Sequence, residues 1–181
     1  RRLVDELVPE HTTPEQFNCW AVIEVLKPSV SCPQLEAVWE EYQKPVHSED
    51  EVLGTLKLNR DFEQLDGEIL WNGEKVSLAL EIDLEDEETW DTARSIAHKV
   101  MADRESWDRS MREFAAKELT ELANEWQADD DEKKNADPIT EEVFAQRITL
   151  SELSLTYESD FTAYFDDDDM FWGHTVEVCG S

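Results

Sequence analysis

The sequence EILWNGEKVSLALEID, residues 68–83, limits the fold of this chain more narrowly than any other segment. Asn72 and Gly73 form the dipeptide that most often makes a two-residue turn between antiparallel strands. After the turn, Val76, Leu78 and Leu80 alternate with small or polar residues, which is typical of a strand with one buried and one wet face. We therefore predict a β-hairpin centred on Asn72-Gly73.

Further β segments lie on both sides of a long helical region. Residues 53–62 (LGTLKLNRDF) alternate before the hairpin, and residues 148–178 return to a strand pattern. Between them, residues 85–128 show helical spacing. We predict a break near Asp103, because one uninterrupted helix would be longer than the core of a small domain. A short helix capped by Thr140 is predicted to run through Arg147. The second half of the helical stripe consists of Trp107, Met111, Phe114, Leu119, Leu122 and Trp126.

These patterns predict an α+β fold in which antiparallel hairpins or a meander pack against two central helices. Residues 1–50 are predicted to be a small helical appendage, and residues 51–181 the α+β domain. In the appendage, a first helix is capped at Thr13, and a second begins near Pro33. The stretch VHSEDE, residues 46–51, is interpreted as a polar connector between the two parts. The apolar stripe of the second helix consists of Leu35, Val38, Trp39 and Tyr42.

The charge of the chain restricts the classes of partner. There are 16 Lys and Arg against 45 Asp and Glu, and the formal net charge is −29. Such a surface repels nucleic acids and anionic membranes, and it attracts basic proteins or cations. Cys19, Cys32 and Cys179 have no paired spacing, so we expect reduced, buried thiols in a cytoplasmic protein. The longest apolar run, residues 19–26, is too short to span a membrane.

The sequence YFDDDDMFWGH, residues 164–174, has three interpretations. The simplest is a hairpin tip at which every carboxylate faces water. Weak calcium binding by the aspartates is an alternative, although the spacing puts Met170 and Phe171 where an EF-hand needs an acid and a glycine. A small enzyme or ligand-binding domain with a pocket around Trp71, Trp172 and His174 is another. No recognisable nucleophile, zinc or phosphate-loop motif accompanies that pocket, and no cofactor is predicted.

The chain from about residue 53 to residue 180 resembles a bacterial family known as domain of unknown function 2262. The resemblance runs through LGTLKLNRDF, GEILWNGEKVSLALEID, LANEWQADD, PITEEVFAQRITLSELSL and FTAYFDDDDMFWGHTVEV. It implies an Asp-Gly-Asp-hydrophobic-Phe-Trp-Gly-His turn. Here Asp167 or Asp168 stands where the glycine would be, which argues against a left-handed residue there and makes the tip more acidic. The resemblance implies no activity.

The leading functional hypothesis is an acidic protein-interaction domain that binds a basic partner. An immunity protein or an inhibitor of a nucleic-acid-acting toxin or enzyme would have this charge. The competing explanation is that the acidity serves solubility or salt adaptation. The predicted acidic face consists of Glu85, Asp86, Glu87, Glu88, Asp166, Asp167, Asp168 and Asp169.

Overall fold

The computed structural model describes residues 33–181, and it divides the chain into two units between Lys44 and Pro45. In the first unit, helix α1 (Pro33–Tyr42) confirms the helix predicted near Pro33. Its apolar stripe is exposed, and the rings of Trp39 and Tyr42 stack with centroids 5.7 Å apart. The helix predicted at Thr13 lies outside the described residues.

The second unit is built on one seven-stranded sheet whose strands lie in chain order. Neighbouring strands are antiparallel, except that the fourth and fifth run parallel and are joined through the helices. The α+β class, with helices packed on a largely antiparallel sheet, is thereby confirmed. The strands are β1 (His47–Asp50), β2 (Gly54–Asn59), β3 (Gln64–Trp71), β4 (Glu74–Glu81), β5 (Thr149–Leu155), β6 (Phe161–Asp166) and β7 (Val176–Gly180).

The hairpin predicted at Asn72-Gly73 joins β3 to β4. Trp71 pairs with Glu74 across a two-residue turn, and both turn residues have positive φ, 51° and 95°. This is the type I′ geometry, which matches the twist of the flanking strands. The turn therefore fixes the register of the two central strands.

Four of the six residues of VHSEDE form the strand β1 (His47–Asp50), so its interpretation as a connector was wrong. His47 pairs with Lys57 and Asp50 pairs with Gly54, which makes β1 an edge strand of the sheet. Its polar composition suits an edge, where charged residues keep the unpaired side from joining other chains. The Asp50 carboxylate also accepts the amides of Val52 and Leu53, each at 2.9 Å, and so closes the turn into β2.

The helical region is divided into α2 (Glu88–Ala102) and α3 (Arg104–Asp129), which confirms the break at Asp103. Asp103 has φ −120° and ψ 28°, so the chain leaves helical geometry there without glycine or proline. A short helix, α4 (Glu141–Arg147), begins where predicted, because the Thr140 side chain accepts the amide of Val143.

The core lies between one face of the sheet and the helices. Small residues on the helices allow close approach to the sheet, and the side chains of Trp71, Phe144 and Phe165 are fully buried. Two residues of the predicted stripe depart from this arrangement, since Phe114 is 54% exposed and Leu122 is 39% exposed. The buried alanines of the helices are Ala93, Ala97, Ala115, Ala116 and Ala123.

Candidate protein-binding surfaces

The tip loop, residues 167–175 between β6 and β7, is organised around a buried carboxylate. Asp167 is only 4% exposed, and its side chain accepts the amides of Asp169 (3.1 Å), Phe171 (2.6 Å) and Gly173 (3.1 Å). The expectation that every carboxylate of this turn faces water was therefore wrong for Asp167. A buried carboxylate is tolerated here because backbone donors replace its hydration.

Left-handed residues bring those amides to one point. Asp168, Asp169, Trp172 and Gly173 have φ between 47° and 82°. Left-handed residues within a turn direct neighbouring N–H groups into one concavity, which suits an anion. The aspartate at position 168 thus keeps the left-handed conformation, contrary to the expectation drawn from the missing glycine, because aspartate tolerates that region better than most residues.

The exposed aspartates of the tip loop are largely engaged within the chain. Arg147 Nε donates to Asp168 at 2.7 Å, and Lys133 Nζ lies 2.5 Å from Asp169. The hydrogen bond with Asp169 raises the pKa of Lys133 above its ordinary value, against the effect of burial. Asp166, at the end of β6, is exposed. The tip is therefore less free to attract a basic partner than its four consecutive carboxylates indicate.

A metal site is not assembled in the described part of the chain. Among residues 33–181, no group of three or more His, Cys, Asp or Glu side chains is placed to hold a metal ion. Cys179, which lies in β7, is free and exposed, so the expectation of a buried thiol was wrong for this residue. Cys19 and Cys32 lie outside the described residues.

The other acidic segment lies at the opposite end of the sheet. β4 and β5 run parallel, with Leu80 beside Leu155, so the segments that follow them leave the sheet at the same end. β6 starts at that end and runs away from it to Asp166. The predicted acidic face is therefore two separate clusters, one on residues 85–88 and one on residues 166–169.

Three connections meet at the end that carries residues 85–88. The turn between β2 and β3 reaches it because the amide of Ile82 donates to the Glu63 carbonyl at 2.9 Å. The turn between β5 and β6 brings Tyr157, whose pKa is raised by burial and then by surrounding carboxylates, among them Asp83. We call this surface the acidic end, and its acids are Asp61, Glu63, Glu81, Asp83, Glu85, Asp86, Glu87, Glu88, Glu158 and Asp160.

The segments that form the acidic end are rich in acids and poor in basic residues. Arg60 is the only Lys or Arg that these segments contribute. Glu85, Glu87 and Glu88 are exposed, whereas Asp83 accepts the Glu85 amide at 2.7 Å and so shapes the loop. Sequence reasoning missed the carboxylates on the two turns, because they join residues 85–88 only once the strand order is known.

Trp71 lies apart from the other two residues of the predicted pocket. Trp71 is buried, and its Nε1–H donates to Asp108 near the start of α3 at 2.9 Å. Trp172 is 59% exposed and packs on Trp126, with ring centroids 4.8 Å apart. Asp108 and Trp126 are separated by about 27 Å along α3, at 1.5 Å per residue. His174 lies with Trp172, since its ring meets that of Trp126 edge-on at 5.8 Å.

Fold and surface together define an α+β domain with a single layer of helices on a seven-stranded sheet and a strongly acidic end. The chain belongs to the family described as uncharacterized protein conserved in bacteria, DUF2262, which it matches over residues 50–181. Residues 1–42 match a second family, described as domain of unknown function DUF7021. No curated protein and no solved structure matches the chain.

In the described residues, no helix combines the length and the apolar character that crossing a membrane requires.

Proposed function

We propose that this chain is an acidic protein-interaction domain that captures a basic partner protein, as an immunity or inhibitor protein does. The observation that carries the proposal is the acidic end, where three connections gather carboxylates with Arg60 as the only basic side chain of their own. Charges gathered on one surface raise the local concentration of an oppositely charged partner and speed its association.

The two acidic clusters make different contributions to this proposal. The aspartates of the tip loop are held by Arg147, Lys133 and backbone amides, so their role is chiefly structural. The carboxylates of Glu85, Glu87 and Glu88 project from an exposed loop and helix start. We assign partner capture to the acidic end for this reason.

The proposal is tested by capturing partners on the immobilised full-length chain. Proteins from a bacterial lysate are bound at low salt, eluted with rising NaCl and identified by mass spectrometry. The triple variant Glu85→Gln, Glu87→Gln, Glu88→Gln removes three charges from the acidic end without removing a backbone contact. We expect the wild-type chain to retain a discrete basic protein that this variant loses.

A matched control removes the same number of charges elsewhere. Glu74, Glu113 and Glu142 are exposed acids outside the acidic end, and the triple Glu→Gln variant at these positions should retain the partner. If both triple variants lose the captured proteins equally, capture depends on net charge alone, and the acidity is a solubility device rather than a binding surface.

A further inference from the structure

An apolar groove lies between α3 and the edge strand β7. One hollow of about 360 Å³ is lined by Met111 and Phe114 of α3 together with Val178 of β7. A second hollow of about 450 Å³ lies further along the same helix, where Leu122 and Trp126 face the residues that lead into β7. We call this surface the α3–β7 groove.

The groove exposes large apolar side chains, two of which belong to the predicted helical stripe. Phe114 and Leu122 line the two hollows and are 54% and 39% exposed. Trp172, which packs on Trp126 beside the second hollow, is 59% exposed. Trp172 also has a φ of 57°, which is unusual for a bulky residue, and its ring packs on that of Trp126. Exposed aromatic anchors and local strain both concentrate at binding sites.

The backbone of β7 is unpaired on one side within residues 33–181. Among these residues β7 pairs with β6 only, and it is the last strand of the sheet. Its sequence, VEVCG, contains no lysine or proline, which commonly protect exposed edges, whereas the opposite edge strand β1 reads HSED. An extended segment of another protein can therefore add to β7 as an eighth strand.

The two faces of an added strand would meet different surroundings. Side chains of a strand alternate, so one set would point towards Phe114 and Leu122 in the groove. The other set would lie over the open face of the sheet, beside Glu177. Glu152 and Glu177 flank Tyr164 on that face, where burial first and then these carboxylates raise the tyrosine pKa.

We propose that the α3–β7 groove binds an extended segment of a partner protein in which apolar residues alternate with Lys or Arg. The apolar side chains would fill the two hollows, and the basic ones would meet Glu177 on the neighbouring strand. A second copy of this chain is a poorer occupant, because each copy carries a net charge of −29. The basic character of the bound segment rests on the proposed function. The α3–β7 groove as its binding surface and its extended conformation go beyond that function.

The test uses two fluorescein-labelled nine-residue peptides and the full-length chain. In one peptide Lys alternates with Val and Phe, and the other has the same composition with all apolar residues first. We expect the alternating peptide to bind at least about tenfold more tightly by fluorescence anisotropy. It should also slow hydrogen exchange at the amides of Val176–Gly180, which would gain partners.

Variants locate the peptide on the chain. The double variant Trp172→Ala, Leu122→Ser should weaken binding of the alternating peptide by about tenfold or more. Both side chains are partly exposed, and circular dichroism of the double variant checks that the fold is retained. Leu70 is 64% exposed on the open face of β3, far from β7, and Leu70→Ser should leave the affinity unchanged.

Several outcomes overturn the groove proposal. Equal affinity for the two peptides, no binding of either, or an unaffected double variant would each do so. If both peptides bind equally and the acidic-end triple variant loses them, the proposed function survives without the groove. Tight binding of the alternating peptide that ignores salt would retain the groove and overturn the basic character of its ligand. A stable homodimer that the double variant abolishes would assign the groove to a second copy.

Discussion

Asp167 is the residue on which the tip loop depends most. Its carboxylate is buried and satisfies three amides, while Asp166, one position earlier, is exposed. The sequence presents the four aspartates as equivalent, and only the fold separates the anchor from its neighbours. Which aspartate turns inward depends on the left-handed residues 168 and 169, and no periodicity in the sequence indicates them.

Asp167→Ala should destabilise the protein by roughly 2–4 kcal/mol, because it leaves buried amide donors without an acceptor. The free energy of unfolding is measured by urea denaturation, with Asp166→Ala as the control at the adjacent exposed position. The control should change stability by less than about 0.5 kcal/mol. Equal effects of the two substitutions would contradict the anchoring role of Asp167.

Asp50 gives the stability of the sheet edge a defined pH dependence. Its side chain is 12% exposed, so burial would raise the carboxyl pKa. The amides of Leu53 and Val52 and the nearby His98 outweigh that effect and hold the pKa below its ordinary value of 3.8. Because folding lowers this pKa, the ionised carboxylate stabilises the fold at every pH above the ordinary pKa. That stabilisation is lost as the pH falls through the pKa of the folded state.

Asp50→Asn should therefore cost about 1–2 kcal/mol at neutral pH. The gap between wild type and variant should close as the pH falls from about 5 to about 2. Urea denaturation at several pH values measures this difference in the free energy of unfolding. The other carboxylates are present in both proteins, so the effect of their protonation cancels. A gap that stays constant over the whole range would rule out this role for Asp50.

At the level of the elements, the alternation of apolar and polar residues and the Asn-Gly turn were enough to predict the strands at the centre of the sheet. The Asn72-Gly73 turn and the apolar alternation of β4 were predictable because both are local patterns. β1 was missed because all four of its residues are polar, so it shows no buried face. The break at Asp103 was predicted from length alone, since nothing in its local sequence forces the helix to end there.

The β3–β4 turn should tolerate asparagine better than alanine at Gly73. The residue has φ 95°, and an added Cβ would meet no atom within 4 Å, so the penalty comes from the backbone conformation alone. Gly73→Ala should cost roughly 1 kcal/mol in the free energy of unfolding. Gly73→Asn should cost less, because asparagine visits left-handed conformations more readily. Urea denaturation of the two variants measures the difference, and the reverse order would contradict the backbone explanation.

At the level of the whole molecule, the sheet sorts the acidic segments into two clusters with different surroundings. Residues 61 and 158 are nearly a hundred positions apart in the sequence, and both reach the acidic end. That convergence follows from the parallel pairing of β4 with β5, which no local pattern in the sequence indicates. The α3–β7 groove could not be predicted from the sequence either, because helical spacing alone assigned Phe114 and Leu122 to the core, whereas both are exposed.

The most direct test of the proposed function is the association rate constant of the captured basic partner, measured by stopped flow over a range of NaCl concentrations. For the wild-type chain we predict a fall of at least about tenfold between low and physiological salt. The Glu85→Gln, Glu87→Gln, Glu88→Gln variant should start slower and depend less on salt, while the matched triple variant behaves as wild type. An association rate that does not change with salt, or that the acidic-end substitutions leave untouched, would contradict capture through the acidic end.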